Sequence, residues 1–176
     1  MKKWVALLVA VLVGQLFSLP AFASDEEKQL VAVFFGRLAS HIELPDRSAR
    51  TFVITLIDEN PFGNLLDDLY KDKTIAGKPV EIRYVAKVED IGRSDILFVT
   101  LINPQARQTA IDYAQNHSIL SISRANGFAE HGGIIQLDFV QQRMRIKINQ
   151  EAAVKSHIRI DAPLLAMATV IRGETR

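Results

Sequence analysis

Between Leu30 and Ile42 the apolar positions Leu30, Val33, Phe34, Leu38 and Ile42 recur at intervals of mostly three and four, the spacing of one helix face. Ser24 with Glu27 makes a capping box ahead of this run and Pro45 closes it, so a first helix is expected over 25–42. Phe52 to Ile57 is continuously apolar, as in a strand buried on both faces. Asn60-Pro61 supplies a cap and a first-turn proline for a second helix reaching about Tyr70. After a turn at Gly77-Lys78-Pro79, Val80 to Val85 alternates enough for an edge strand. Ile96 to Ile102 reads as another buried strand, Asn103-Pro104 opens a helix running to about Asn116, and Ile119 to Ser123 is a third interior strand.

The pattern then changes. Ile134 to Val140 and Arg143 to Asn149 have a period of two and are expected to pair as an antiparallel hairpin. Centring its turn on Gln141-Gln142 sets Asp138 against Arg145 and Gln136 against Lys147 on a wet face. Leu137 then faces Ile146, and Phe139 faces Met144, on the core side. Gln-Gln is a poor two-residue turn, so a longer loop in the same register is the alternative. Asn149 is expected to cap a short helix reaching Ser156, and Asp161 a last helix over Leu164 to Ile171. Helices alternating with apolar strands imply a three-layer, Rossmann-like α/β fold: a mostly parallel sheet with a C-terminal antiparallel hairpin.

Residues 1–23 stand apart from this pattern. Lys2 and Lys3 precede the apolar run Trp4 to Phe17, Pro20 breaks it, and Ala21-Phe22-Ala23 has the small-x-small form of a cleavage site. That is the layout of a secretory signal peptide, so the mature chain is expected to be one soluble, exported domain over 24–176. Without Lys2 and Lys3 the formal charge moves from +1 for the whole sequence to about −1. Near-neutrality argues against nucleic acid and against purely electrostatic membrane attachment. The absence of cysteine excludes disulfides, thiol catalysis and cysteine-based metal sites.

Candidate chemistry is sparse. His41, His117, His131 and His157 share no i, i+4 spacing, so no metal motif is visible and no cofactor is implied. Asp58-Glu59 ends a buried strand, but without a positioned second group it reads first as a helix-capping pair. Gly127 and Gly132-Gly133 have the wrong spacing for a phosphate cradle, and no helix follows them. Arg143, Arg145 and Lys147 share a strand face, a solvated edge or a contact for an acidic partner. In open α/β sheets ligands favour the carboxyl ends of strands. The segments expected there are 58–63, 100–103 and 123–133, and two carry loop phenylalanines, Phe62 in NPFG and Phe128 in NGFA. Such side chains more often tuck onto the core; if exposed they would anchor a protein interface.

The stretches AVFFGRLASHIELP, IDENPFG, IAGKPVEIR, SDILFV, ISRANGFAEHGGIIQL and MRIKINQEAAVKSHIRIDAPLLAMA, in this order, cover nearly all of the mature chain. Together they resemble the YfiR/HmsC family of periplasmic regulators. The resemblance implies a protein that is not an enzyme and that binds the periplasmic domain of a membrane diguanylate cyclase, lowering cyclic di-GMP and biofilm formation. It further implies an outer-membrane lipoprotein as a second partner and a homodimer. Two departures matter. Leu44-Pro45 stands where the family often has Trp-Pro, and Ser94 where many members have cysteine, so thiol-based redox control is closed to this chain. Partner or effector contacts are expected at Glu43 and Leu44, at Asn60, Pro61, Phe62 and Gly63, and at Asn126, Gly127, Phe128, Ala129, Gly132 and Gly133. The alternative reading is a small-ligand-binding sensor module serving a histidine kinase or a transport system.

Overall fold

A computed structural model describes residues 25–45 and 48–171; the expected leader at 1–23 lies outside the described residues. Helix α1 (Asp25–Leu38) is short of its expected end. The amides of Ser40 and His41 close the last turn on Arg37 and Leu38 carbonyls, and the chain then extends. Strand β1 (Ile42–Glu43) leaves the helix to pair antiparallel with β9 (Arg159–Ile160), a long-range partner that helical periodicity cannot reveal.

The main sheet follows from the apolar runs. Its strands are β2 (Phe52–Ile57), β3 (Thr74–Ile75), β4 (Lys78–Val85), β5 (Ile96–Val99), β6 (Leu120–Ser123), β7 (Ile135–Val140), β8 (Arg143–Asn149) and β10 (Thr169–Ile171). Their spatial order is β10-β8-β7-β6-β5-β2-β4-β3. Strands β4, β2, β5, β6 and β7 run parallel, and β7 turns back into β8. The chain steps from β2 to β4 on one side and then to β5 on the other, so the order reverses between β2 and β5. The expected α/β class with a C-terminal hairpin is the one observed.

Two apolar layers flank the sheet. One holds α1, α2 (Leu65–Tyr70), α4 (Gln150–Lys155) and α5 (Ala162–Met167) against Ile54, Leu56, Ile96 and Phe98. The other holds α3 (Pro104–Asn116) against Ile57, Leu97 and Val99. Alternation along β2 and β5 sends successive side chains to opposite layers. Asn103, Asn149 and Asp161 cap α3, α4 and α5 by accepting amide hydrogen bonds, as the sequence leads one to expect.

Three further boundaries differ. Helix α2 starts at Leu65 rather than after Asn60-Pro61, because Asn60 makes a tight turn instead of a cap. Its Oδ1 accepts from Phe62 N at 3.0 Å and its Nδ2 donates to Gly63 O at 2.9 Å. Strand β5 stops at Val99, and the last expected helix is divided into α5 and the edge strand β10. The hairpin register is the expected one, with Asp138 opposite Arg145 and Phe139 opposite Met144. Its turn is two residues long, with Gln141 and Gln142 both at positive φ. Gln136, expected on a wet face, is fully buried.

Candidate functional site

The carboxyl ends of the parallel strands converge on a cleft of about 480 Å³ beside the β2–β5 reversal, lined by Phe98, Thr100, Ile102, Arg107, Ser123 and Asn126, among others. Thr100 stops β5 and ties it to its neighbour: its hydroxyl donates to Ile57 O at 2.7 Å and accepts from Glu59 N at 2.9 Å. Ser123 does the same at the end of β6, donating to Val99 O at 2.6 Å and accepting from Ala125 N at 3.0 Å. Arg107 reaches back from the first turn of α3, with Nη1 donating to the Leu101 and Ile102 carbonyls. Arg124 pairs with Glu27 at 3.0 Å and lies 4.7 Å from the ring centroid of Phe139. Ser123 opens the 123–133 segment expected at the strand ends, whereas Arg107 is not among the candidate residues of the sequence; its place one turn after the Asn103-Pro104 cap is the one signal that sets it near a strand end.

The expected contact residues do not form one surface. Asn60, Pro61 and Gly63 sit at the carboxyl end of β2, and Asn126 and Gly127 at that of β6, with the end of β5 between them. Glu43 and Leu44 are at the other end of the sheet. Leu44 lines two depressions there, of about 300 and 350 Å³, that open at the amino ends of the strands. Glu43 faces Arg159 at 3.5 Å across the β1–β9 pair.

Both loop phenylalanines are buried, and in opposite layers. Phe62 packs edge-on against Phe35 of α1 and close to Phe98 of β5, with centroids 5.9 and 5.4 Å away. Phe128 is fully buried with Ile111, Ala114 and Ile119 in the α3 layer. The picture of two aromatic anchors on a shared rim is therefore corrected: the turn geometry that frees the backbone also swings each ring inward.

The segment 124–133 does the work of a crossover helix. It leaves the carboxyl end of β6 and must return to the start of β7, which is parallel to β6. Side chains hold it down. Ala129 N donates to Gln136 Oε1 at 3.3 Å, and Asn149 Nδ2 donates to Ala129 O at 2.8 Å. Gln115 Nε2 donates to Gly132 O at 2.8 Å. A Cβ on Gly133 would overlap Cδ1 and Cε1 of Phe128 and stand 2.6 Å from Cζ, so glycine is needed for close approach. Gly133 thus has a structural role that requires glycine, and the backbone groups of Ala129 and Gly132 are tied down beside it.

Among titratable groups, burial followed by the neighbouring Asp67 carboxylate pushes the Tyr84 phenol well above its usual range. Its hydroxyl donates to Asp67 Oδ2 at 2.6 Å. Among the described residues no three His, Cys, Asp or Glu side chains converge as metal ligands would.

Residues 28–169 match the family described as YfiR/HmsC-like. The chain belongs to that family. It is a family of periplasmic regulators, and no helix among the described residues is long and apolar enough to cross a membrane. No curated protein matches the chain. Among solved structures, a conserved domain protein from Vibrio cholerae O1 biovar El Tor is 16% identical with a TM-score of 0.54, covering 81% of this chain and 59% of that one. An ABC domain in complex with L-Trp from Streptococcus pneumoniae is 15% identical with a TM-score of 0.54, covering 82% and 60%. A ligand-free, open substrate-binding protein with adhesive properties from Clostridium difficile is 12% identical with a TM-score of 0.50, covering 88% and 61%. The chain thus spans about 60% of the length of these structures, and the likeness is one of fold.

Proposed function

We propose that this YfiR/HmsC-like protein acts in the periplasm by binding rather than by catalysis, holding down a membrane diguanylate cyclase through that enzyme's periplasmic domain. The observation that carries this reading is the family match over 28–169. A binder of this kind works by linkage: it shifts the cyclase toward an inactive conformation by no more than its difference in affinity for the two states. An outer-membrane lipoprotein that competes for the repressor would release the cyclase. The exposed and half-exposed part of the carboxyl rim, Asn60, Pro61, Gly63, Asn126 and Gly127, is the surface assigned to these contacts, with Glu43 and Leu44 a separate patch. Removing the protein raises cellular cyclic di-GMP and biofilm. Unchanged cyclic di-GMP in the deletion strain, with a membrane diguanylate cyclase bearing a periplasmic domain expressed, would overturn the reading.

A second reading is favoured by the cleft itself. It sits where open α/β sheets hold small ligands, and Arg107 meets the Leu101 and Ile102 carbonyls through Nη1 alone, leaving guanidinium donors to meet a carboxylate. A small-ligand sensor would show saturable binding of an organic acid or amino acid without any cyclase. Calorimetric titration with a panel of amino acids, repeated on Arg107→Ala, tests it. Absence of binding throughout removes this reading and leaves the first untouched.

A further inference from the structure

Strand β8 is covered unevenly. On one side β7 pairs with it from Arg143 to Ile148. On the other, β10 meets it only at Lys147, Ile148 and Asn149, so the half nearer the turn, Arg143 to Ile146, is an open sheet edge. The Asn149 amide points inward, to Ile134 O at 2.9 Å. Backbone groups alternate in direction along a strand, which turns the Met144 amide and carbonyl outward, where no described residue meets them.

Side chains alternate as well. Arg143, Arg145 and Lys147 share one face of β8, and Met144 and Ile146 the other. Lys147 is already engaged, by Glu130 at 3.0 Å and Asp138 at 3.7 Å. Asp138 lies directly opposite Arg145, yet its carboxylate is taken by Lys147 and by Gln136 Nε2, which donates to it at 2.8 Å. Arg143 and Arg145 are exposed and have no ion-pair partner among the described residues. Alternate side chains on a strand stand about 7 Å apart, so these two guanidinium groups flank the open Met144 backbone at the spacing of alternate residues on a second strand. On the opposite face Met144 borders a groove of about 430 Å³ shared with Leu30, Val33 and Phe34 of α1. Leu30 is 45% exposed and Val33 is 37% exposed, which leaves the groove with apolar walls.

We propose that the open half of β8 receives a short extended segment of another protein, one in which acidic and apolar residues alternate. The segment adds a strand beside Met144, sets its carboxylates on Arg143 and Arg145, and turns its apolar side chains toward the groove. A second copy of this chain does not fit the slot, because pairing the two edges brings the arginines of both copies together. Nothing in this fit depends on repression of a cyclase.

Fluorescence anisotropy with a labelled Glu-Val-Glu-Val-Glu peptide, titrated with the mature chain, tests it. The peptide binds saturably. Its isomer Glu-Glu-Glu-Val-Val binds at least about tenfold more weakly, because its carboxylates no longer share one face. Reversing both charges, Arg143→Glu with Arg145→Glu, weakens binding of the first peptide by about tenfold or more and creates binding of Lys-Val-Lys-Val-Lys. A matching far-ultraviolet spectrum and melting temperature show that these exposed substitutions leave the fold intact. Hydrogen exchange followed by NMR separates a strand slot from a merely charged patch: saturating peptide slows exchange of the Met144 amide. Absence of saturable binding, equal binding of the block isomer, a charge reversal without effect, or a Met144 amide that exchanges as fast with peptide as without it would each overturn the proposal.

Discussion

Substituting Gly133 by alanine isolates the packing that anchors the 124–133 crossover. Gly133 is not among the glycines at positive φ, so alanine brings no backbone strain there, and any cost is steric. Its Cβ would overlap two Phe128 ring carbons and approach a third to 2.6 Å, whereas ordinary carbon contacts lie near 3.5–4.0 Å. The ring must retreat by more than about 1 Å. It has nowhere to go, since Phe128 is fully buried beneath α3. Overpacking of this kind costs about 1–3 kcal/mol, and driving the ring out of its site entirely costs about 3–5 kcal/mol. We expect a loss of about 3 kcal/mol, or a fall in Tm of about 6–12 °C for a domain of this size. Thermal and urea unfolding measure it. The decisive comparison is the double-mutant cycle with Phe128→Ala: once the ring is gone, Gly133→Ala should cost less than about 0.5 kcal/mol more. Additive losses would refute the claim that the two residues act through this one contact.

Phe62→Ala should cost about 3–5 kcal/mol in urea unfolding, because its ring joins α1 to β5; a loss below about 1 kcal/mol would mean the ring is not a core element. Replacing Gln141-Gln142 by Asn-Gly should raise stability by about 1–2 kcal/mol, since both positions are left-handed and glutamine pays for that conformation; an unchanged melting curve would refute it. The Asp161 carboxylate is held below its usual range first by the Leu164 amide and then by His41, 2.9 Å away. A depressed carboxylate contributes stability above its unfolded pKa and loses it as pH falls through about 4 and below. Asp161→Asn keeps a cap but cannot titrate, so its deficit in Tm should be largest near neutrality and shrink in acid; a deficit independent of pH would contradict this.

The elements legible in the sequence were those whose cause is local. Asn103-Pro104, Asn149 and Asp161 carry their capping groups with them, and the β7–β8 register follows from alternation alone. What was illegible depended on distant partners. Nothing near Ile42 announces Ile160, and nothing near Thr169 announces that Lys147 will draw it into a strand. The candidate site shows the same division. The loop glycines and phenylalanines were visible, but their direction was not, because Phe62 and Phe128 are placed by layers assembled from both halves of the chain. Gln136 illustrates the limit: alternation sets it on the polar face, and only the overlying crossover, with the Ala129 amide, makes that face interior.

That crossover separates two jobs along ten residues. Its fastening points, Phe128, Ala129 and Gly133, are all buried, while Asn126, three residues past the end of β6, is exposed. Neither Asn126 nor the Gly127 side of the turn supplies a side chain to the layers that hold the sheet together. Sequence drift at Asn126 therefore carries little thermodynamic penalty, whereas Gly127 is held by its left-handed backbone and drift from Phe128 onward disturbs packing. A helix in this place would have spread its anchoring over every turn. The fastened loop leaves a short, evolvable lip on an otherwise constrained scaffold.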